Sequence, residues 1–443
     1  MDKKITGCLL GLLFLFVGGN ILSVFLSEVN TEDDIFNNNK GIEENTVDKL
    51  KQAGFWNLTG TPIFIDDTDP LYNWSITEST YDWCSGAGTF GNPYIIENVT
   101  LDGQGTDRCI DIRNSNVYFR IQNCTLYNGD FFCIYLNNVR NGKIGVNNRI
   151  SYPEYDGIYL FLCEEIVISE NIFTHCPNGI RLSFHSNNTL ISKNTLTKNS
   201  AIHIDGNDNI LLENTIEDYN AYDPCIYVSG WRNNLVGNTL KDIIADYSAI
   251  KFEDCYYSDI RDNVIEIEER IKCIWTYWCN FTENFIERSD FYMKECNDNI
   301  ISKNTFRESS IILEYSDRNH IKENSMKRKG GIVYGISLER SDENEIIDNE
   351  ILKMYDGGIY LKRSDNNIIT GNTISGIGMG GFECIIEDDC EGNEIKDNKC
   401  EIDEAPTSSI SAGYYFLAAI PVGAAYSLLK GRRSLRKKEN HTS

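Results

Sequence analysis

The chain has 443 residues, 41% hydrophobic and 24% charged, with a formal net charge of −25. That length and apolar content can bury a large core, and the acidity argues against nucleic acid or an anionic lipid surface as partner for the bulk of the chain. It holds 48 Asn and 56 Ile against 12 Ala, five of them between Ile410 and Leu429; such a composition excludes a helical bundle.

Met1-Asp2-Lys3-Lys4 and the mostly apolar run Ile5 to Leu26 read as a secretory signal in residues 1–27. No clear small-x-small cleavage site follows, so cleavage and retention as an anchor both stay open. Residues 28–54 are acidic and Asn-rich, a partly disordered linker. Residues 55–91 carry Trp56, Trp74, Trp83 and a strand-like Thr61 to Ile65. A stacked rod must cover its first coil, and this segment is read as that N-terminal cap.

Residues 92–402 repeat. One phrase is Asn-x-Ile-x-x-Asn-x-Ile, as in Asn188 to Leu196 and Asn209 to Ile216. Its second Asn returns at 171, 194, 214, 238, 263, 284, 304, 324, 349, 372 and 398, with looser copies at Asn98, Asn123 and Asn148. The mean period is about 23 residues. A second phrase, small-Ile-x-Leu, precedes each Asn; its alternation is that of a short strand with one buried face. One repeat cannot bury that face alone, but stacked repeats can. The pattern predicts an all-β, parallel β-helix solenoid of about 13–14 coils, roughly 60 Å long at one strand spacing per coil. The recurring Asn would bond to backbone and to the Asn of the next coil. A leucine-rich repeat has a similar period, but it favours Leu and a helical convex side.

Residues 403–409 form a short stalk. Ile410 to Leu429 holds no charge and is long enough for a transmembrane helix. The basic tail 430–443 then stays cytoplasmic, with the large domain extracellular. Residues 28–409 alone carry −31. Sequons at Asn57, Asn73, Asn98, Asn123, Asn187 and Asn280 suit an outside location for a glycoprotein.

The stretch Gly91-Asn-Pro-Tyr94-Ile-Ile-Glu97-Asn-Val-Thr-Leu-Asp102-Gly, the repeats after it, and the plan of one C-terminal span plus basic residues are similar to right-handed parallel β-helix proteins of the periplasmic NosD and carbohydrate-binding-and-hydrolase type, membrane-anchored archaeal surface proteins among them. The resemblance covers about residues 92–402. It implies the right-handed fold. It does not choose among binding, structural and enzymatic members.

The 15 Cys include Cys109 and Cys133 at one position of successive coils, and Cys163, Cys255, Cys279, Cys296 and Cys390 six residues after the small residue. Bridges Cys109–Cys133 and one pair among Cys255, Cys279 and Cys296 are candidates, against the reading that Cys fills a small buried slot. With five His and no Cys-x-x-Cys pair, no metal site and no cofactor are expected. Acidic turns could bind Ca²⁺ weakly.

Outward positions of the small-Ile-x-Leu strand predict an exposed strip: Tyr135, Tyr159, Phe161, Arg181, His203, Asp205, Tyr227, Lys251, Glu253, Trp275, Tyr277 and Tyr292. Aromatic faces with interleaved charges suit a polysaccharide or cell-surface glycan; the same aromatics could instead stack on each other. Asp205, Glu253 and His203 are the weak catalytic candidates of a surface polysaccharide lyase or glycoside hydrolase. The sequence thus leaves three readings: a membrane-anchored glycan-binding or structural β-helix, that enzyme, or a NosD-like metal-handling protein.

Overall fold

The structure is a computed structural model that describes residues 56–402, except 106–107, 329–333, 355 and 378–382. The signal, linker, stalk, span and tail expected from the sequence lie outside these residues. Among the described residues no helix is long and apolar enough to cross a membrane.

Short strands follow one another around a coil and pair with their counterparts in the next coil, giving three sheets of 15, 15 and 14 strands. Apart from one antiparallel strand pair in the cap, Cys84–Ser85 on Tyr94–Glu97, the strand pairings are parallel, and they keep register except for shifts between Val228 and Gly230, Lys241 and Ile243, and Ser375 and Ile377. From the coil that opens with Tyr94–Glu97 to the one that closes with Ile385–Asp388 there are 13 complete three-strand coils. Ile and Leu of the small-Ile-x-Leu strands form inward stacks: Ile134, Ile158, Ile180, Ile202 and Ile226 are at most 1% exposed. Each inward residue of such a stack touches its equivalents above and below, so period and burial enforce each other.

Between sheets the chain turns through left-handed backbone. The residue just before a ladder Asn is at positive φ; it is glycine before Asn238 and Asn372, but elsewhere a non-glycine, and Glu170, Lys193, Glu213, Asp262, Glu283, Lys303, Glu323 and Asp348 all lie between 54° and 59°. Each such residue costs roughly 1–2 kcal/mol, so something must hold the turn. The Asn ladder does. Asn148 donates through Nδ2 to Oδ1 of Asn171 (2.9 Å), and the chain continues unbroken through Asn194, Asn214, Asn238, Asn263, Asn284, Asn304, Asn324, Asn349 and Asn372 to Asn398. From Asn194 onward each Oδ1 also accepts the backbone N–H of the Asn before it, as between Asn171 and Asn194 (3.0 Å).

Asn98 and Asn123 are not ladder members. They sit one residue early, at φ 57° and 52°, and the ladder slot falls on Val99 and Cys124. Cys124 N–H donates to Asn148 Oδ1 (2.9 Å) and so starts the ladder. A second ladder, which spacing alone did not reveal, runs through Asn299, Asn319, Asn344, Asn367 and Asn393. Asn209 and Asn233 extend it on the other side, with Ser258 and Cys279 standing in between. The first Asn of the repeat phrase belongs to this second ladder at Asn209, whereas in the copy Asn188 to Leu196 the slot falls on Thr189, whose N–H donates to Asn209 Oδ1, and Asn188 sits at φ 50°.

The segment before the first coil covers the rod's end. Trp56–Asn57 pairs with Val99–Thr100, and Ile63–Asp66 with Ile110–Arg113. A helix not foreseen in the sequence, α1 (Trp74–Thr80), is N-capped by Asn73, whose side chain accepts from Ile76 N–H. Its Trp74 is 1% exposed, stacks on Tyr94 (centroids 5.1 Å apart) and donates from Nε1 to Ser115 Oγ (3.0 Å).

The candidate disulfides do not form. The observed bridge is Cys384–Cys400, while Cys109, Cys133, Cys255, Cys279 and Cys296 are free and buried. In-register parallel strands point equivalent Cβ atoms the same way instead of at each other, which is poor disulfide geometry. Cys279 does not share the column of Cys255 and Cys296: it occupies the second ladder, three residues beyond Thr276, which donates its N–H to Cys296 Sγ (3.4 Å). Burial pushes the Cys279 and Cys296 thiols up to about 12. Native protein should therefore leave Cys255, Cys279 and Cys296 unlabelled by a thiol reagent, with labelling only after denaturation; rapid native labelling would contradict this packing.

Candidate functional site

The outer face of the 14-stranded sheet is fixed by register. One outward row runs Tyr135, Tyr159, Arg181, His203, Tyr227, Lys251, Lys272, Tyr292. Phe161, Asp205 and Glu253 stand two residues further along their strands. These expected strip residues share the face. Trp275 and Tyr277 do not. The coil that contains them is short, so the small slot falls on Arg270 and Cys273 turns inward, level with Phe252 and Met293. Its outward residues are Lys272 and Ile274.

Trp275 and Tyr277 lie instead at the corner where this sheet turns. Tyr277 joins an exposed aromatic platform. Trp231 packs on Tyr256 (5.1 Å) and Tyr257 (5.8 Å); Tyr256 stacks on Tyr277 (5.4 Å) and Tyr257 on Trp278 (5.2 Å). Trp231, Tyr257 and Trp278 remain 46%, 50% and 47% exposed. Trp275 stands near, its Nε1 donating to Glu295 Oε2 (2.8 Å).

On the flat face many rings cover each other. Phe132 lies against both Tyr135 (5.5 Å) and Tyr159 (4.6 Å), and the Arg108 guanidinium sits 4.3 Å from the Tyr135 centroid. Phe161 packs on Phe184 (4.8 Å). His203 packs on Tyr227 (4.3 Å), whose hydroxyl donates to Glu253 Oε2 (3.0 Å), the oxygen that also takes Lys251 Nζ (2.7 Å). Farther on, Tyr292 and Lys294 both donate to Glu314.

These contacts weaken the catalytic trio. Burial would raise the Glu253 carboxyl, but the bonds from Lys251 and Tyr227 and the charges of Lys251 and Lys272 hold it below the ordinary range. It is a poor proton donor near neutral pH. Burial, with Arg181 adding to it, lowers His203 to about 4, so its ring is neutral. Asp205 is exposed and faces Ser229 in the next coil, one coil short of Glu253.

Sequence reasoning missed Asp156. It stands just before the small residue Gly157, where the adjacent coils place Phe132 and Asn178. It is 2% exposed and accepts from Asn178 Nδ2 (2.7 Å). Burial raises its carboxyl to about 6, against the lowering effect of Asn178 and of Arg181. A charged residue beside a core slot was the available signal.

The coils, ladders and register describe a right-handed parallel β-solenoid, and the matches to known families support a right-handed β-helix repeat. Residues 108–245 match the family described as right handed beta helix region, and residues 244–401 the family described as periplasmic copper-binding protein (NosD). No curated protein matches the chain. Among solved structures, a PL6 family polysaccharide lyase from Pseudopedobacter saltans is 12% identical, with 70% of this chain and 97% of that chain covered and a TM-score of 0.46. The A-module of an Azotobacter vinelandii mannuronan C-5 epimerase is 11% identical, with 69% and 90% covered and a TM-score of 0.38. A GH136 lacto-N-biosidase from Eubacterium ramulus is 11% identical, with 78% and 68% covered and a TM-score of 0.40. Likeness at this level carries nothing about chemistry.

Copper, implied by the second family's description, does not fit the residues present. Among the described residues no group of three or more His, Cys, Asp or Glu could hold a metal ion. His320 bonds through Nδ1 to Glu345 (2.8 Å). The thiols of Cys255 and Cys273 are fully buried, and burial pushes them well up, so neither offers the thiolate a soft metal needs.

Proposed function

We propose that this chain is a non-catalytic glycan-binding β-helix, displayed outside the membrane that its apolar ends suggest. One observation carries the reading: rings from successive coils gather at one corner, with Trp231, Tyr257 and Trp278 about half exposed. Apolar area is not left in water on a rigid sheet edge without cost, and sugar rings stack on such surfaces. The face beside the platform offers hydrogen-bonding groups at one-coil steps, His203, Tyr227 and Lys251 among them. A rigid, preordered surface of this kind binds an extended chain at low entropic cost. The reading rests on this geometry and not on the titles of distant β-helices.

The test is a glycan array probed with the full chain in detergent. Hits are expected. Trp231→Ala with Trp278→Ala should weaken them at least tenfold, while Tyr315→Ala, at another exposed ring, leaves them unchanged. Product analysis on each hit should find no cleavage. Cleavage abolished by Glu253→Gln would replace this reading with the enzymatic one.

A further inference from the structure

Six sequons lie in the described residues, and an attached sugar is compatible with the folded rod only where the Asn side chain ends in solvent. Most do not meet that condition. Asn98 and Asn123 are half-buried at left-handed positions, and the hydroxyl of Thr100, which completes the first of these sequons, is buried without a partner. Asn187 accepts the Asn207 N–H (2.7 Å), and its Thr189 is 1% exposed. Asn73 is half-buried and caps α1. Asn57 and Asn280 are exposed. Asn57 accepts from both the N–H and the hydroxyl of Thr59 (3.0 and 2.7 Å). The Asn280 side chain makes no hydrogen bond among the described residues, and Thr282 follows it on the same outer face of its strand.

Asn280 also stands beside a partly bare ring. Trp278 lies two residues earlier, with the buried Cys279 between them. Register aligns Trp278 with Tyr257 in the coil before and with Asp298 in the coil after. Tyr257 stacks on one face of the indole (5.2 Å, 9° between planes). Asp298 has no ring, and its carboxylate is taken by Arg318 (2.9 and 3.0 Å). No ring from that coil therefore covers the other face, and Trp278 is 47% exposed. Outward residues two apart along a strand are roughly 6–7 Å from each other, about the width of one sugar ring. The next coil places the half-buried Ile300 beside Asn280 on the same outer face, a second apolar contact within reach.

We propose that Asn280 carries an N-linked glycan whose first sugar packs on the open face of Trp278. In the transfer, Nδ2 of Asn280 bonds to the anomeric carbon of a lipid-linked sugar phosphate or pyrophosphate. The carbon–oxygen bond to phosphate breaks, the phosphate stays with the lipid, and one amide proton passes to a base of the transferase. The apolar face of the sugar then covers the indole as a second ring would. The inference rests on the outside location in the proposed function and not on the binding of a free glycan. It adds that Trp278 is occupied in the modified chain, which leaves Trp231 and Tyr257 as the open part of the platform. In the unmodified chain the Asn280 side chain has no partner to lose.

Glycopeptide mass spectrometry of the full chain, isolated from the cells that make it, tests the site. A sugar is expected on the peptide that holds Asn280. Asn280→Gln should remove it, and so should Thr282→Ala, which keeps the Asn but breaks the sequon. Relative to the modified wild type, both variants should shift tryptophan emission to the red and leave it more open to iodide, and a Trp278→Ala background should abolish that difference. An unmodified Asn280, or sugar on Asn98, Asn123 or Asn187 in its place, would overturn the site. A modified Asn280 with the same emission and quenching as Asn280→Gln would overturn the packing on Trp278. Protease treatment of intact cells should cut the domain from outside; full protection would remove the outside location that this inference and the proposed function share.

Discussion

Replacing Asn284 by Ala should lower stability by about 3–5 kcal/mol, among the largest effects of any single substitution that leaves the apolar core intact. Asn284 is 3% exposed. Its Oδ1 accepts from the N–H (3.1 Å) and Nδ2 (2.9 Å) of Asn263, and its Nδ2 donates to Ile260 O and Asn304 Oδ1 (both 2.9 Å). Ala removes all four bonds and orphans polar groups in two neighbouring coils. Each buried orphan costs roughly 1–3 kcal/mol, reduced where water can enter. It also releases the left-handed turn at Glu283 (φ 57°). Asn284→Asp should be at least as harmful, since its carboxylate would face the Ile260 and Asn304 oxygens. Asn280→Ala, an exposed strand position four residues earlier, should change stability by less than about 0.5 kcal/mol. Denaturant midpoints of the three variants check this. Equal midpoints for Asn280→Ala and Asn284→Ala would mean that the ladder does not hold the coils.

The second large effect is a gain. Asp156→Asn should stabilise the protein at pH 8 by roughly 3 kcal/mol, two pK units of carboxyl shift at about 1.4 kcal/mol each. The sign follows from the raised value of about 6 against an ordinary 3.8. The folded state holds the proton more tightly than the unfolded one. Stability from this group is therefore full below pH ~4 and lost as pH rises through about 6. Asn keeps the shape, can still accept from Asn178 Nδ2 and never ionises. The gain over wild type should grow between pH 4 and pH 7 and vanish at the acid end. Taking the difference between the two proteins removes the opposing titration of His203. Thermal midpoints at pH 4 and pH 8 read it directly. A gain that is the same at both pH values would show that Asp156 is not the group that titrates.

The fold was legible because one interaction repeats. Ile at inward positions and Asn before each strand set the period, and the coil follows from the need to stack. What failed were single-residue registers. Asn98 and Asn123 satisfy the phrase but occupy the left-handed turn position, because an Asn suits αL as well as a ladder. Cys273 passed for the small residue of a coil that is shorter than the one before it, and this slip moved Trp275 and Tyr277 onto the wrong surface and Cys279 into the wrong column. A one-residue shift exchanges inside for outside, so a repeat of variable length hides its site even where it declares its fold. The raised carboxyl of Asp156 was illegible for another reason. Whether a charge has a partner depends on the side chains of adjacent coils, about 23 residues away in sequence.

Tryptophan fluorescence during glycan titration tests the platform most directly. Of six Trp, Trp74 and Trp83 are buried, while Trp56, Trp231, Trp275 and Trp278 are between 38% and 47% exposed. Saturating an array hit should shift emission to the blue and protect part of it from iodide, and Trp231→Ala with Trp278→Ala should abolish both changes. Saturable glycan binding with unchanged emission and unchanged iodide quenching would show that the sugar lies elsewhere and that the aromatic corner is only structural.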